Sequence, residues 1–246
     1  MIRYDAMQSR QLHRAQSMKT VGIIGGMSWE STAKYYQWLN EGVRARLGGL
    51  QSAKIILTSV NFEEIAKLQA AQRWDLAGEI LAAEAVRLER AGADFIMLAT
   101  NTMHRVADEI KAAVSVPFVH LADATGERIT PAGLHKIGLL GTRYTMEQDF
   151  YKGRLTLQGI EVLVPDEAER NLVHGVIYDE LCLGKILPQS KELYVGVTQA
   201  LVDRGAQGVI LGCTEITLLI GQEDFSFPVF DTTRIHIEKA LDLMFS

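Results

Sequence analysis

Cysteine is scarce in this chain of 246 residues: only Cys182 and Cys213 are present. Two cysteines cannot build the disulfide framework of a small secreted domain, and neither stands in a C-x-x-C metal spacing. A reducing cytoplasm is the expected compartment. Long apolar runs are also missing. The apolar stretches are strand-sized, far below the length a membrane-crossing helix needs. There is no basic stripe either. The 25 Lys and Arg are outnumbered by 30 Asp and Glu, for a net charge of −5, which argues against nucleic acid as a partner. Residues 1–17 are polar, carry three arginines and His13, and lack the apolar stretch of a secretory signal. They read as an extension outside the fold. Finally, neither G-x-G-x-x-G nor the Walker pattern occurs, so Gly25-Gly26 is a weak phosphate loop.

What remains is an ordinary globular composition, 48% hydrophobic and 22% charged. The length is enough for one large domain or two small ones. Strands and helices alternate. Strands are expected at Thr20–Gly25, Lys54–Val60, Asp94–Leu98 and Pro117–Val119, then again at Lys136–Gly141, Ile160–Val164 and Gly208–Leu211. Helices are expected at Trp29–Leu47, Phe62–Ala70, Trp74–Ala91, from Thr102 to about Ala113, and at Asp123–Thr130, where Asp123 serves as cap. They continue at Met146–Gln158, Glu167–Leu183 and Glu192–Arg204, and Asp231 caps a last helix to Met244. Such alternation implies α/β architecture with parallel sheets covered on both faces.

The order also repeats. Val21-Gly-Ile-Ile-Gly25 resembles Ile137-Gly-Leu-Leu-Gly141. Gly92-Ala-Asp-Phe-Ile-Met-Leu-Ala-Thr100 resembles Gly205-Ala-Gln-Gly-Val-Ile-Leu-Gly-Cys213. From Gly22 to Thr100 is 78 residues, and from Gly138 to Cys213 is 75. Two matched segments in one order at one separation argue for a duplicated lobe. The expected division is lobe 1 at 18–130, lobe 2 at 131–230, and a C-terminal helix, 231–246, that packs back on lobe 1.

Ligands of open parallel sheets bind beyond the carboxyl ends of the strands. Thr100 and Cys213 each follow a buried strand and precede a helix. In two pseudo-symmetric lobes they would face one another across a cleft, as a two-base proton transfer requires. Helix starts near Asn101 and Thr214 would offer free N–H groups to a carboxylate and lower the Cys213 thiol pKa. Each residue also has a plainer reading. A lone cysteine after a buried strand is usually core, and Cys182, in Asp-Glu-Leu-Cys-Leu, reads as packing. His104 and His120 read as ordinary polar contacts.

Ala99-Thr-Asn-Thr-Met-His104 and Leu211-Gly-Cys-Thr-Glu215 together resemble the paired signatures of the aspartate/glutamate racemase superfamily. Gly22-Ile-Ile-Gly-Gly-Met-Ser-Trp-Glu-Ser-Thr32 and Leu140-Gly-Thr-Arg-Tyr-Thr145 are similar to its aspartate racemase branch, and Thr-Asn-Thr-Met-His to the broad-specificity amino-acid racemase group. The resemblance runs from Met18 to Ser246. It implies two flavodoxin-like lobes and an isomerase that needs neither pyridoxal phosphate nor metal. Its catalytic pair is Thr100 and Cys213, with Cys213 on the L face of the substrate. It further implies substrate contacts from Met27, Gln69, Asn101, Thr102, Thr142, Thr214 and Glu215. The implied partners are a small amino-acid substrate and, at most, a second copy of the chain.

Two departures matter. Most of the superfamily has cysteine at both reactive positions, whereas the first here is Thr100, whose hydroxyl is a far weaker acid than a thiol. Dedicated aspartate racemases place an arginine after the second strand, but Ser59-Val-Asn-Phe-Glu-Glu-Ile65 has none. Lys152, Arg154 and Lys185 are the alternative cations. Competing readings are a maleate isomerase or malonate decarboxylase type of reaction, and a two-lobed binding protein without catalysis.

Overall fold

The computed structural model describes residues 18–246, so the expectation for residues 1–17 lies outside the described residues. The first sheet is built from β1 (Val21–Gly25), β2 (Ile55–Ser59), β3 (Phe95–Leu98) and β4 (Phe118–Val119). The second is built from β5 (Lys136–Gly141), β6 (Glu161–Leu163), β7 (Val209–Gly212) and β8 (Val229–Asp231). Every pairing is parallel. The orders are β2-β1-β3-β4 and β6-β5-β7-β8, the same arrangement twice. Burial explains the strand sequences. Val21–Gly25, Phe95–Leu98 and Val209–Gly212 are buried at every position, as central strands covered on both faces must be. The edge strands β2 and β6 are partly exposed and carry polar residues.

The chain divides into two compact units, each with one sheet. The first holds the described residues through Ala99, together with Val106–Val119 and Ile237–Ser246; the second holds Thr100–Arg105 and His120–His236. This differs from the boundary expected at 130. Helix α5 (Leu121–Ile129) packs its Leu121, Ala124 and Ile129 against Ile137, Leu139 and Tyr151 of the second unit. Thr100–Arg105 also joins that unit.

In the first unit, α1 (Trp29–Leu47), α2 (Phe62–Ala70), α3 (Trp74–Arg90) and α4 (Ala107–Ala113) accompany the sheet. Its core sets Tyr35, Leu39 and Val43 of α1 against Ile23, Phe95 and Met97. Ile237, Ala240 and Leu241 of the last helix complete it. Fully burying each such large side chain contributes roughly 1.5–3 kcal/mol. Gly42 permits this packing, because a Cβ there would meet Leu241 Cδ1 at 2.2 Å. In the second unit the remaining helices are α6 (Arg143–Glu147), α7 (Asp149–Leu157), α8 (Glu167–Asp179), α9 (Pro188–Asp203) and the start of α10 (Thr232–Met244), whose residues from Ile237 onward lie in the first unit.

Several expectations need correction. The helix expected at Met146–Gln158 is two helices, broken where Gln148 is extended (φ −89°, ψ 154°). The helix expected at Glu167–Leu183 stops at Asp179, and a 3₁₀ turn, Leu181–Leu183, ends at left-handed Gly184. Strand β8, the three residues that directly follow Pro228, is an addition to the expected strands. Asp123 does not cap α5. His120 does, its Nδ1 accepting the Ala122 N–H at 3.1 Å, while Asp123 bonds Arg154. Asp231 caps α10, accepting from Thr233 N and Arg234 N. Among the described residues, no helix is long and apolar enough to cross a membrane.

Candidate active site

In each sheet the chain leaves the middle pair of strands in opposite directions. That is the switch point at whose carboxyl edge open α/β sheets hold ligands. The glycines at the ends of β1 and β5 serve close helix packing. A Cβ on Gly25 would lie 2.4 Å from Thr32 Cγ2, and Thr32 Oγ1 accepts the Gly26 N–H at 2.8 Å. In the second sheet a Cβ on Gly141 would lie 3.2 Å from Thr145. Threonine four to seven residues after each glycine thus locks the first turn of the following helix.

Thr100 follows β3 and Cys213 follows β7, and each leads into a five-residue 3₁₀ turn, Thr102–Val106 and Thr214–Leu218. Both reactive residues are partly exposed, in contrast to the buried strands before them. The free α-helix N-termini expected at these points are therefore short 3₁₀ turns. The expected lowering of the Cys213 thiol pKa is also overturned. Burial, followed by the charge of Glu215 and a hydrogen bond to it, pushes the thiol well above its ordinary value. Cys213 Sγ donates to Glu215 Oε2 at 2.9 Å, so the resting pair is a thiol with a carboxylate acceptor beside it. Glu215, expected as a substrate contact, is buried and turned to the thiol.

Hydroxyl and amide groups connect the two turns within the second unit. Asn101 Nδ2 donates to Thr232 Oγ1 at 3.2 Å, and Thr232 Oγ1 donates to Leu211 O at 2.8 Å. The next residue, Thr233, shares a 2.8 Å hydroxyl contact with Thr214. Thr102 and Thr142 hydroxyls lie 2.9 Å apart, and Thr142 also caps α6 by accepting from Thr145 N. Asn101 Oδ1 is buried with no hydrogen-bond donor among the described residues. The Asn101 amide is oriented by its Nδ2 bond, so this oxygen is an unfilled acceptor one residue from Thr100.

His104 fixes Thr100 itself. Its Nε2 accepts the Leu121 N–H at 3.1 Å, which puts the proton on Nδ1, and Nδ1 donates to the Thr100 carbonyl at 2.7 Å. His104 packs against His120 and His236, with ring centroids at 4.6 and 5.8 Å. Burial, then the neighbouring His236, lowers the His104 pKa to about 3, and burial likewise lowers His120 far below the usual range. The His104 and His120 rings are neutral struts, which goes beyond the ordinary polar contacts expected for them.

Met27 and Gln69 are buried in the first unit, Met27 just past β1 and Gln69 on α2. Asn101, Thr102, Thr142, Thr214 and Glu215 gather in the second unit with Thr100 and Cys213. Of the alternative cations, Arg154 is held by Asp123 at 2.8 Å and Lys152 by the Glu147 carbonyl at 2.9 Å. Lys185 is exposed after the Leu181–Leu183 turn. Cys182 on that turn is partly buried and packs against the same apolar cluster as Cys213. Among the described residues, no group of three His, Cys, Asp or Glu side chains could hold a metal ion. Sequence reasoning missed Thr232 and Thr233 altogether.

The Asp/Glu/Hydantoin racemase family profile matches residues 24–240. A crystal structure from Yersinia pestis, of a protein assigned as an Asp/Glu racemase, superposes with a TM-score of 0.88 at 55% identity, covering 93% of this chain and 100% of that one. An aspartate racemase homologue from Pyrococcus horikoshii OT3 gives 0.81 at 40% identity, covering 92% and 99%. The broad specificity amino-acid racemase of Bacillus subtilis (strain 168) is 28% identical over 152 residues, which is 61% of this chain and 64% of that protein's length.

Proposed function

Because this chain belongs to the Asp/Glu/hydantoin racemase family, we propose that it inverts the α-carbon of an amino acid by two-base proton transfer, without pyridoxal phosphate or metal. The observation that carries the reading is the 2.9 Å bond from Cys213 Sγ to Glu215. A thiol beside a buried carboxylate can accept a proton from carbon while passing its own proton on.

On the L-enantiomer the Cys213 proton moves to Glu215 Oε2 as Sγ takes the α-proton, leaving a carbanion at Cα. The Thr100 hydroxyl protonates the opposite face, and the resulting alkoxide recovers its proton from water. Glu215 then returns its proton to solvent. The D-to-L direction runs in reverse and starts from the weaker base, so Thr100 serves it poorly. The α-ammonium supplies the donor that Asn101 Oδ1 lacks. Thr102 and Thr142 offer hydroxyls, and Thr214 its backbone N–H, for the α-carboxylate.

Specificity is proposed to be broad. The stretch Ser59–Ile65, directly after β2, has no arginine, and Arg154 and Lys152 already have partners. A strict requirement for a distal carboxylate therefore has no built cation among these residues. The chemistry needs a reduced Cys213, which fits a reducing compartment. The test is Cα–H exchange in D₂O by NMR across a panel of amino acids, with chiral analysis of the same samples. A racemase exchanges and inverts. Thermal stabilisation by amino acids without exchange would identify a binding protein.

A further inference from the structure

Thr232 and Thr233, the first two residues of α10, are fully buried. Neither lies near Thr100 or Cys213 in sequence order. Asn101 and Thr232 are 131 residues apart, yet Nδ2 of one donates to the hydroxyl of the other at 3.2 Å. Thr232 passes the bond on to Leu211 O in β7, the strand that leads to Cys213. Thr233 meets Thr214, the residue after Cys213, at 2.8 Å. The backbone of this dipeptide is held in turn, because Asp231 Oδ1 accepts from Thr233 N at 2.9 Å. Adjacent residues thus hold the immediate neighbours of both reactive side chains.

The two contacts do different things. An amide can turn end for end at little cost unless a partner fixes it. The Thr232 hydroxyl receives Nδ2 and has already committed its own proton to Leu211 O, so it can only accept from Asn101. That fixes Asn101 with Oδ1 as the open acceptor. The Thr233 hydroxyl is engaged by Thr214 instead, and it anchors the turn that follows Cys213.

We infer that Thr232 and Thr233 are a positioning pair with divided roles, Thr232 setting the Asn101 amide for the substrate ammonium and Thr233 seating the Cys213 turn. This rests on the racemase reading. It concerns residues that do not touch the reacting atoms.

Steady-state kinetics and Cα–H exchange in the purified full chain test it, using Thr232→Val, Thr233→Val and the two serine variants. Valine keeps the shape and removes the hydroxyl, while serine keeps the hydroxyl. Thr232→Val should raise KM for both enantiomers about tenfold or more, because the ammonium acceptor is no longer held. Thr233→Val should leave KM within about twofold and slow exchange of the L-enantiomer about ten- to a hundredfold, the cost of a displaced reacting group. Thr232→Ser and Thr233→Ser should each restore the parameter that valine changed. If Thr232→Val yields no folded protein, Thr232→Ala leaves the same bonds unmade with less bulk and carries the same expectation. Kinetics in both valine variants that match the parent, or that change KM and exchange in the same proportion, would overturn the inference. A parent protein that neither exchanges nor racemises any amino acid in the panel overturns the racemase reading itself, and is distinguished by that control.

Discussion

Cys213 donates its thiol proton to the Glu215 carboxylate across 2.9 Å, within a single 3₁₀ turn. The carboxylate raises the thiol pKa by its charge and also offers a place for the proton. These two effects oppose each other in experiment. Glu215→Gln removes the charge, so the thiol should ionise at lower pH and react faster with iodoacetamide at neutral pH. The same change removes the proton acceptor, and racemisation should fall by at least about a hundredfold. The pH profile of alkylation and the racemisation rate, measured on one sample, check the pair of outcomes. An unchanged racemisation rate would reduce Glu215 to a spectator.

The two cysteines should behave differently. Cys213→Ser keeps the size and discards the acidic thiol, so activity should drop by about two orders of magnitude or more. Cys182→Ser should keep near-parental turnover, since Cys182 packs against the apolar cluster of the second unit and has no role in the proposed proton path. Circular dichroism melts alongside the assays separate lost chemistry from lost stability.

Acid should destabilise the fold through buried imidazoles. An unfolded histidine binds a proton below about pH 6.5. Folded His104 resists until about pH 3, and folded His120 resists still further. The unfolded state therefore binds more protons in this window, and stability falls as pH drops from 6.5 toward 3, by up to about 1.4 kcal/mol per pH unit for each such ring. The groups facing His104 are His120, His236 and Arg154, with Asp123 paired to Arg154. Urea unfolding at several pH values gives the slope. His104→Asn should flatten it by about one proton, because asparagine places an amide donor near the Nδ1 position and does not titrate.

Much of this architecture is legible in the amino-acid order. Val21–Gly25 and Val209–Gly212 read as strands because central parallel strands are buried on both faces and need continuous apolar residues. The paired Gly-Ala segments located Thr100 and Cys213 after equivalent strands of two identically ordered sheets. The Asn101–Thr232 link was not legible, because a contact across 131 residues leaves no local pattern, and Thr232-Thr233 reads as an ordinary helix start. The thiol pKa was misjudged for a related reason. Sequence shows a turn opening after Cys213, while its enclosure and the aim of the Glu215 carboxylate belong to packing. The break at Gln148 carries no glycine or proline to announce it.

Replacing Thr100 by Cys restores two thiols without added bulk. D-to-L turnover should rise more than L-to-D turnover. The equilibrium constant for enantiomers is one, so kcat/KM stays equal in the two directions and the asymmetry appears in kcat and KM together. Chiral chromatography of progress curves started from each pure enantiomer provides the values.

The central claim is that Cys213 and Thr100 serve opposite faces of one α-carbon. Thr100→Ala, followed in D₂O by NMR with chiral analysis of the same tubes, tests it most directly. The account predicts that inversion is suppressed in both directions while the L-enantiomer still exchanges its α-proton, because Cys213 can remove a proton and return a deuteron on its own face. Racemisation by Thr100→Ala as fast as by the parent would contradict it and leave Thr100 as no more than a wall of the site.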